Sequence, residues 1–164
     1  MKARQATKGR ARGFTLVEMM VVIGIVGVLL TIAAPGFERM VQRSKVRKTS
    51  DLVVQVVQYA KSHALAKNTP VYVSVIGGNE LCLHTKAKTD PTYDPLVPCD
   101  IRREQTAVPV SLADGTGTAL PELAFSNIYG TPTPLVAVFN AASSHFSQAV
   151  RVNMLGLVTV GALT

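Results

Sequence analysis

A single carboxylate lies inside the most apolar stretch of this chain. Between Phe14 and Phe37, the side chain of Glu18 is the only ionisable group. An ionised carboxylate is costly in an apolar environment unless a cation accompanies it, so a charge at such a place is typically functional. The sequence therefore predicts a positively charged partner for Glu18.

The apolar stretch is long enough to form a membrane-spanning helix. As a helix, residues 14–34 rise about 31 Å, which is close to the thickness of the hydrocarbon core of a bilayer. Pro35 and Gly36 then interrupt the run. A helix that is apolar on all faces over this length is typical of a segment that spans a membrane or packs inside a large assembly.

Three interpretations of the N-terminus compete. A cleaved secretory signal peptide has an apolar region of about 7–15 residues followed by a small-residue cleavage site. The run in this chain is longer, and no such site follows it. An ordinary signal anchor explains the apolar helix but not Glu18. The third interpretation supplies a partner for the carboxylate, and it depends on a resemblance described below.

The net charge of +7 is concentrated before Gly13. The basic residues there are Lys2, Arg4, Lys8, Arg10 and Arg12. If residues 1–13 are removed, 12 basic residues remain against 10 acidic ones, and the formal charge falls to +2. The charge of the remainder therefore gives no support to a nucleic-acid partner, which a strongly basic chain would suggest.

The junction resembles a known processing signal. Residues 12–20 read RGFTLVEMM and are similar to the class III signal of type IV pilins and type II secretion pseudopilins. The resemblance implies that a prepilin peptidase cuts between Gly13 and Phe14 and that Phe14 becomes N-methylated. It also implies that Glu18 attracts the amine of a neighbouring subunit and that Pro35 kinks the helix. The implied partners are the peptidase/methyltransferase, the inner membrane and other pilin or pseudopilin subunits.

After Phe37 the apolar pattern becomes one-sided, which predicts an amphipathic helix to about Asn68. The recurring positions are Val46, Thr49, Leu52, Val53, Val56, Val57, Ala60 and Ala64. Spacings of three and four are typical of a helix with one face packed on a domain. Pro35 need not end the helix, because a proline can kink a helix that continues. The sequence Asn-Thr-Pro at positions 68–70 predicts the stop.

The remainder of the chain has the short period of β-strands. The pattern predicts a β-hairpin, in which residues 71–76 form the first strand, residues 77–79 form the turn and residues 81–84 form the returning strand. Five further strands are predicted at Ala107–Leu112, Leu123–Ile128, Leu135–Phe139, Ala149–Asn153 and Leu157–Val160. Loops are predicted at residues 85–100, 114–117 and 131–134.

Two cysteines, Cys82 and Cys99, flank the longest predicted loop. In an exported domain they predict one disulfide that closes the loop, whereas in a cytosolic protein they would remain free thiols. His84 lies near Cys82, but no CxxC pair or second histidine follows at the spacing of metal ligands. The sequence therefore predicts no metal site and no cofactor.

A second basic cluster follows the apolar run. It consists of Arg39, Arg43, Lys45, Arg47 and Lys48. These residues either form a solvated helix face or contact lipid headgroups, as basic clusters beside membrane helices commonly do. With five basic residues on each flank, charge alone does not orient the helix. Long C-terminal domains translocate largely regardless of charge, so the N-terminus is expected in the cytoplasm and the C-terminal domain in the periplasm.

The C-terminal residues 150–158 are similar to the end of the GspH/FimT group of pilins, in which two strands flank a glycine turn. Some proteins of the FimT branch bind DNA, and the resemblance would then predict arginines near that turn. In this chain Gly156 is followed by Leu157 and Val158, and Arg151 is the only basic residue after Arg103. A DNA-binding minor pilin for natural transformation is the alternative function.

One short run, Ser143-Ser144-His145, combines a nucleophile with a base. Adjacent residues seldom present their side chains to one another in a strand, and no acid follows nearby. The three histidines, His63, His84 and His145, are scattered along the chain. We therefore predict no catalytic residue.

These patterns predict an α+β, pilin-like fold: a long N-terminal helix, membrane-spanning in its first half, packed on a C-terminal antiparallel β-sheet domain. The predicted segments are a cleaved leader (1–13), a transmembrane or filament-core helix (14–37), an amphipathic helix (38–68) and a β-rich periplasmic domain (69–164). The predicted function is that of a minor pilin or pseudopilin, a structural subunit of a type IV pilus or a type II secretion filament. It would reside in the inner membrane before it joins a periplasmic or extracellular filament.

Overall fold

The first element is a long helix, α1, which extends over Leu16–Lys67. The structure is a computed structural model that describes residues 13–96 and 99–164, without the side chains at positions 33–35. The predicted leader therefore lies outside the described residues except for Gly13. The chain divides into two compact units between Glu38 and Arg39.

The end of α1 confirms the predicted stop. Asn68 follows the last helical residue with a φ of 52°, a left-handed conformation that asparagine tolerates better than most residues. The Thr69 N–H donates to the carbonyl oxygen of Ala64 at 3.3 Å. This bond satisfies one of the carbonyl groups that a helix end leaves without an intrahelical partner. Pro70 follows and the first strand begins at Val71.

The C-terminal half of α1 packs one face into the core, as the spacing predicts. The fully buried helix positions are Val46, Thr49, Ser50, Val53, Val56, Val57, Ala60 and Ala64. Leu52 is half-buried against the same core. Side chains of helix and strands form one cluster that begins at Val46, so the hydrophobic core lies wholly within the second unit.

Within residues 13–96 and 99–164, nine strands form two antiparallel sheets, which confirms the predicted combination of a long helix with an antiparallel β domain. The strands are β1 (Val71–Ile76), β2 (Glu80–His84), β3 (Arg102–Gln105), β4 (Val110–Asp114), β5 (Leu123–Phe125), β6 (Pro132–Thr133), β7 (Ala137–Ala142), β8 (Ser147–Val152) and β9 (Val158–Val160). The first sheet has the order β3-β2-β1-β5-β6, and the second has the order β4-β7-β8-β9.

The β1–β2 hairpin forms where the sequence predicts it. Ile76 pairs with Glu80, so residues 77–79 make the turn. Gly77 and Gly78 have φ values of 58° and 79°. A side chain at either position would be strained in this left-handed backbone region, which glycine enters without a steric penalty.

Strand β3 is absent from the sequence prediction. Its residues read RREQ, and a polar run without apolar alternation carries no strand signal. The strand forms because β2 offers a free edge, along which Arg102 pairs with Leu83 and Arg103 with Cys82. An ion pair also links the two strands, since Arg103 Nε lies 2.8 Å from Glu80 Oε1. Cross-strand pairs of opposite charge stabilise such an edge.

The predicted strand at Ala107–Leu112 is wrong at its start, because β4 begins only at Val110. Pro109 has no N–H to donate to a ladder. The Ala107 N–H donates instead to Thr49 Oγ1 at 3.2 Å, and this contact ties the connection to α1. The hydroxyl of Thr106 donates to the carbonyl oxygen of Val108 at 2.8 Å, which further shapes the segment before the strand.

Several other strands also differ from the prediction. Strand β5 ends at Phe125 because Ser126 begins a turn, in which the Gly130 N–H donates to the Ser126 carbonyl at 2.9 Å. The predicted loop at 131–134 contains β6, whose two residues pair with β5. Strand β7 extends over Ala137–Ala142, whereas the prediction was Leu135–Phe139. Strand β8 extends over Ser147–Val152, whereas the prediction was Ala149–Asn153. Element boundaries commonly differ by a few residues when they are predicted from a pattern.

The packing of α1 gives a testable prediction about stability. Ala60 is fully buried, whereas Ala66 on the same helix is exposed. Because an extra side chain overpacks a filled core, Ala60→Leu should lower the free energy of unfolding by about 1–3 kcal/mol. Ala66→Leu is the matched control and should change it by less than about 0.5 kcal/mol. Urea denaturation of the detergent-solubilised chain measures both, and equal effects would contradict the assigned helix face.

Candidate functional site at the start of the helix

Thr15 and Glu18 together fix the beginning of α1. Because the helix begins at Leu16, Thr15 occupies the N-cap position and Glu18 the third helical position. Thr15 Oγ1 accepts the backbone N–H of Glu18 at 3.2 Å. In return, Glu18 Oε2 accepts the backbone N–H of Thr15 at 3.4 Å and lies 3.4 Å from its hydroxyl. This reciprocal arrangement is a capping box, which stabilises a helix start.

The capping box holds the Glu18 carboxylate toward the end of the helix at which Phe14 lies. Oxygen Oε2 takes the contacts from Thr15, and Oε1 has no hydrogen-bond partner within the described part of the chain. The exposed site therefore offers one carboxylate oxygen to an outside cation. The sequence analysis missed the cap, although threonine followed three residues later by glutamate before an apolar run is its signature.

Gly13 has no structural role in the described fold. It is exposed and lies outside α1, and an ideal Cβ built on it meets no atom within 4 Å. A larger residue at this position therefore costs the folded chain nothing through steric contact. Any requirement for glycine at position 13 must come from a molecule that binds the junction.

The first part of α1 is apolar and has no partner within the described residues. Every side chain from Phe14 to Ile32 is exposed, including Leu16 at 76% and Ile23 at 67%. A contiguous apolar surface of this kind marks a contact with a membrane or with protein. By length and hydropathy, no single helix among the described residues suffices to cross a membrane, whereas Leu16–Ile32 and Gly36–Lys67 meet the criterion when taken together. Pro35 lies between these two segments, and the kink expected there stays a prediction.

A disulfide joins Cys82 in β2 to Cys99, with 5.2 Å between the Cα atoms. A second link ties the same loop at its base. The Thr85 N–H donates to Asp100 Oδ1 at 2.9 Å, and the Thr85 hydroxyl donates to the other carboxylate oxygen of Asp100. The described residues between the cysteines contain no regular strand or helix apart from the end of β2, as predicted for this segment.

A buried histidine lies beside this loop. His84 is 2% exposed, and its Nδ1 contacts the carbonyl oxygen of Lys86. A carbonyl only accepts, so Nδ1 carries the proton, and in the neutral ring Nε2 accepts from the Ser74 hydroxyl at 3.2 Å. Glu122 Oε2 lies 3.8 Å from the same Nε2. Ser74 is fully buried, so this serine–histidine pair presents no nucleophile at the surface.

Two tyrosine rings complete the surroundings of His84. Tyr72 stacks on the imidazole with 5.7 Å between ring centroids, and Tyr93 of the loop lies at 5.4 Å. Desolvation raises the pKa of Tyr93, and the nearby carboxylates of Glu122, Asp100 and Asp94 raise it further. The sequence analysis took His84 for a scattered histidine. The register places it opposite Tyr72, a pairing that the composition alone does not reveal.

The other candidate residues are not brought together. In the run at 143–145, the Ser143 hydroxyl bonds to the backbone of Phe146 within a turn, and Ser144 and His145 are exposed. Within the described ranges, no group of three or more His, Cys, Asp or Glu side chains is arranged to hold a metal ion.

The C-terminal glycine turn is apolar and lies against α1. Gly156 has a φ of 68°, and Lys61 packs so closely that an added Cβ would lie 3.2 Å from its Nζ. That ammonium already donates to the Leu155 carbonyl at 2.7 Å. Met154, Leu155 and Leu157 are the exposed large side chains of the turn.

Comparisons with known proteins agree with the motif and with the fold. A family model for the prokaryotic N-terminal methylation motif matches residues 8–34. The chain is similar to the type IV major pilin protein PilA of Myxococcus xanthus (strain DK1622), with 53% identity over 36 residues, 22% of this chain and 16% of that protein. It is also similar to the type IV major fimbrial protein FimA of Dichelobacter nodosus, with 42% identity over 41 residues, 25% of this chain and 26% of that protein.

The fold is similar to that of the type IV minor pilin FimU of Pseudomonas aeruginosa (strain PAO1). The TM-score is 0.57, and the likeness covers 75% of this chain and 92% of that chain. The chain is type IV pilin-like. At 13% sequence identity, the likeness to FimU concerns the fold alone. This chain spans only 16% and 26% of the lengths of the two curated relatives named above.

The pilin-like chain offers a test of its disulfide. A cross-link that closes a loop of this length stabilises a protein by about 3 kcal/mol in the chain-entropy model. A thiol reductant should therefore lower the free energy of unfolding by about that amount, measured by urea denaturation followed by tyrosine fluorescence. The variant Cys82→Ala with Cys99→Ser is the control, and the reductant should leave its stability unchanged. Equal stability of the natural chain with and without reductant would show that the bond contributes nothing.

Proposed function

We propose that this chain is a minor pilin or pseudopilin, a structural subunit that joins or primes a filament and catalyses no reaction. The observation that carries the proposal is the fully exposed apolar surface between Phe14 and Ile32, with the Glu18 carboxylate at its beginning. Such a helix suits lipid before assembly and the helical core of a filament after it. Within that environment the carboxylate requires a cation.

The cation proposed for Glu18 is the free amine of Phe14 on a neighbouring subunit. A prepilin peptidase would remove residues 1–13 on the cytoplasmic side, and the new terminus would be N-methylated. Glu18 Oε1 is available for such a contact because Thr15 uses the other oxygen. A buried pair that loses one partner leaves an uncompensated charge, which costs about 3–5 kcal/mol. The pair would thus set the axial register during assembly.

The same reasoning assigns a place to each segment. Residues 14–37 would cross the inner membrane once, with the leader in the cytoplasm and residues 69–164 in the periplasm. Residues 38–68 would link the two as an amphipathic helix, and Pro35 would kink the helix just before this segment. A disulfide between Cys82 and Cys99 suits the oxidising periplasm.

The type IV pilus is the filament that we propose first. The relatives similar to this chain are type IV major pilins and fimbrial proteins, and the fold is similar to that of a type IV minor pilin. A role as a type II secretion pseudopilin is the second candidate, because the processing signal serves both systems. DNA binding has no supporting observation, since the Gly156 turn presents apolar side chains and the Lys61 ammonium is engaged with Leu155.

Processing can be tested by intact-mass measurement of protein extracted from membranes. We expect loss of residues 1–13 and addition of one methyl group. Gly13→Val should block cleavage because the peptidase must fit the junction, while the fold itself tolerates a side chain there. Gly9→Val in the leader is the matched control and should be processed normally. A mature protein that retains the leader would overturn the proposed processing.

Pairing of Glu18 can be separated from its capping role by two variants. Glu18→Gln retains an acceptor for the Thr15 N–H but removes the charge, whereas Thr15→Val removes the hydroxyl cap and keeps the charge. Loss of the buried pair should reduce incorporation of Glu18→Gln into sheared filaments by about 100-fold or more. Thr15→Val should reduce it only a few-fold, as a lost cap costs about 1 kcal/mol.

Immunoblots of filament and membrane fractions measure this incorporation, and mass measurement confirms that both variants are cleaved. If Glu18→Gln enters filaments as well as the natural chain does, the carboxylate acts only as a helix cap. The charge-pairing part of the proposal would then be wrong, while the proposed processing would stand.

A further inference from the structure

The basic cluster of Arg39, Arg43, Lys45, Arg47 and Lys48 is aligned along one part of α1. Three arginines follow one another at intervals of four residues, so they occupy one row on the helix surface. Arg43, Arg47 and Lys48 line the same open groove, which has a volume of about 310 Å³. All five side chains are exposed.

None of these five cations has a partner within the described residues. The ion pairs found there involve Arg102, Arg103 and His84 instead, and no side-chain hydrogen bond reaches the basic cluster. Asp51 also lines the groove, and none of the ion pairs found among the described residues includes it. Like charges four residues apart on a helix repel one another, so the arrangement is unfavourable unless an anion lies against it.

The cluster is turned away from the protein core. Val46, Thr49 and Ser50 from the same stretch of α1 are buried, and the cations occupy the positions between them. The cluster begins two residues after Phe37, the last apolar residue of the N-terminal run. Basic residues usually accumulate on the cytoplasmic side of a membrane helix. A basic cluster on the translocated side is opposite to this preference and therefore requires a compensating interaction.

We propose that the basic cluster binds the phosphate groups of anionic phospholipids at the periplasmic surface of the membrane before assembly. This inference rests on the proposed function, since it requires that the apolar segment is inserted in the bilayer. Guanidinium groups match phosphate oxygens with paired hydrogen bonds, and their long side chains reach back toward the headgroups. The lipid contact would hold the subunit at a fixed depth until neighbouring subunits replace it.

The two lysines of the cluster report this contact. The full chain is reconstituted into vesicles of phosphatidylcholine alone or of phosphatidylcholine with about one third phosphatidylglycerol. Its lysines are then acetylated briefly with a limiting amount of an amine-reactive acetylating reagent. Mass spectrometry then gives the extent of modification at each lysine. Anionic lipid should slow acetylation of Lys45 and Lys48 by about fivefold, the factor equivalent to ~1 kcal/mol per cation at a charged surface. Lys67, exposed on the same helix, should react equally in both vesicles.

Charge variants distinguish the cluster from a general effect of net charge. Arg43→Gln with Arg47→Gln should remove most of the protection of Lys45 and Lys48. Lys67→Gln with Arg151→Gln removes the same number of exposed charges elsewhere and should retain it. Salt at about 0.5 M should also abolish the protection, because it screens surface charges.

The remaining outcomes decide against the proposal in separate ways. Equal acetylation of Lys45 and Lys48 in the two vesicles would overturn lipid binding. Equal protection by inorganic phosphate in phosphatidylcholine vesicles would identify a general anion site and overturn the lipid as its occupant. Extraction of the chain from both vesicles by alkaline carbonate would show that it is not inserted, and this result would overturn the proposed function as well.

Discussion

One buried face of α1 is the interaction on which the folded unit depends. From Val46 to Ala64 this face joins side chains from both sheets in a single cluster. Strands such as β7 alternate between buried and exposed residues, so each sheet has one face that needs to be covered. The helix therefore packs against both sheets in one core. Without it, the apolar face of each sheet would be exposed to water.

The same helix has a different chemistry before Glu38. Apart from Thr15, Glu18 and Thr31, the side chains between Phe14 and Ile32 are apolar around the whole circumference, and all are exposed. Each square ångström of apolar surface kept in water costs about 25 cal/mol, so a surface of this size is unfavourable for an isolated soluble chain. The segment gains its free energy only from lipid or from other helices. In that surrounding, the single carboxylate of Glu18 becomes the least favourable group, and the need for a cation follows from the physics of burial rather than from the resemblance.

The features that could be predicted from the sequence are those that depend on hydrophobic periodicity and on turn or helix-stop residues. The buried face of α1, its stop near Asn68 and the β1–β2 hairpin could all be predicted, because hydrophobic period and turn residues determine them locally. Strand β3 could not be predicted, since its four polar residues become a strand only when the edge of β2 is available. Likewise, His84 acquires its partners Ser74 and Glu122 from other segments of the chain, and no local pattern encodes that meeting.

The roles of the candidate site residues stay predictions, whereas part of the geometry of the site is visible in the structure. Processing at Gly13 and Phe14 and charge pairing of Glu18 are implied by the resemblance, and the reciprocal bonds between Thr15 and Glu18 were not predicted. This cap changes the interpretation of the carboxylate. A helix end already carries partial positive charge from its free N–H groups, and these groups favour a carboxylate in the first turn. Glu18 is thus stabilised in part by its own helix, whether or not another chain lies beside it.

The basic and acidic residues that follow position 13 are concentrated in different parts of the chain. Without residues 1–13 the formal charge is only +2, yet five of the 12 basic residues lie between Arg39 and Lys48. Seven of the 10 acidic residues lie between Glu80 and Glu122, where several hold the loops in place. The nearly balanced total therefore conceals two opposite regions. In the β domain the carboxylates are mostly engaged with backbone N–H and hydroxyl groups, so they do not neutralise the cations of the helix. An anionic surface beside α1 would meet a concentrated positive charge, although residues 14–164 together carry a formal charge of only +2.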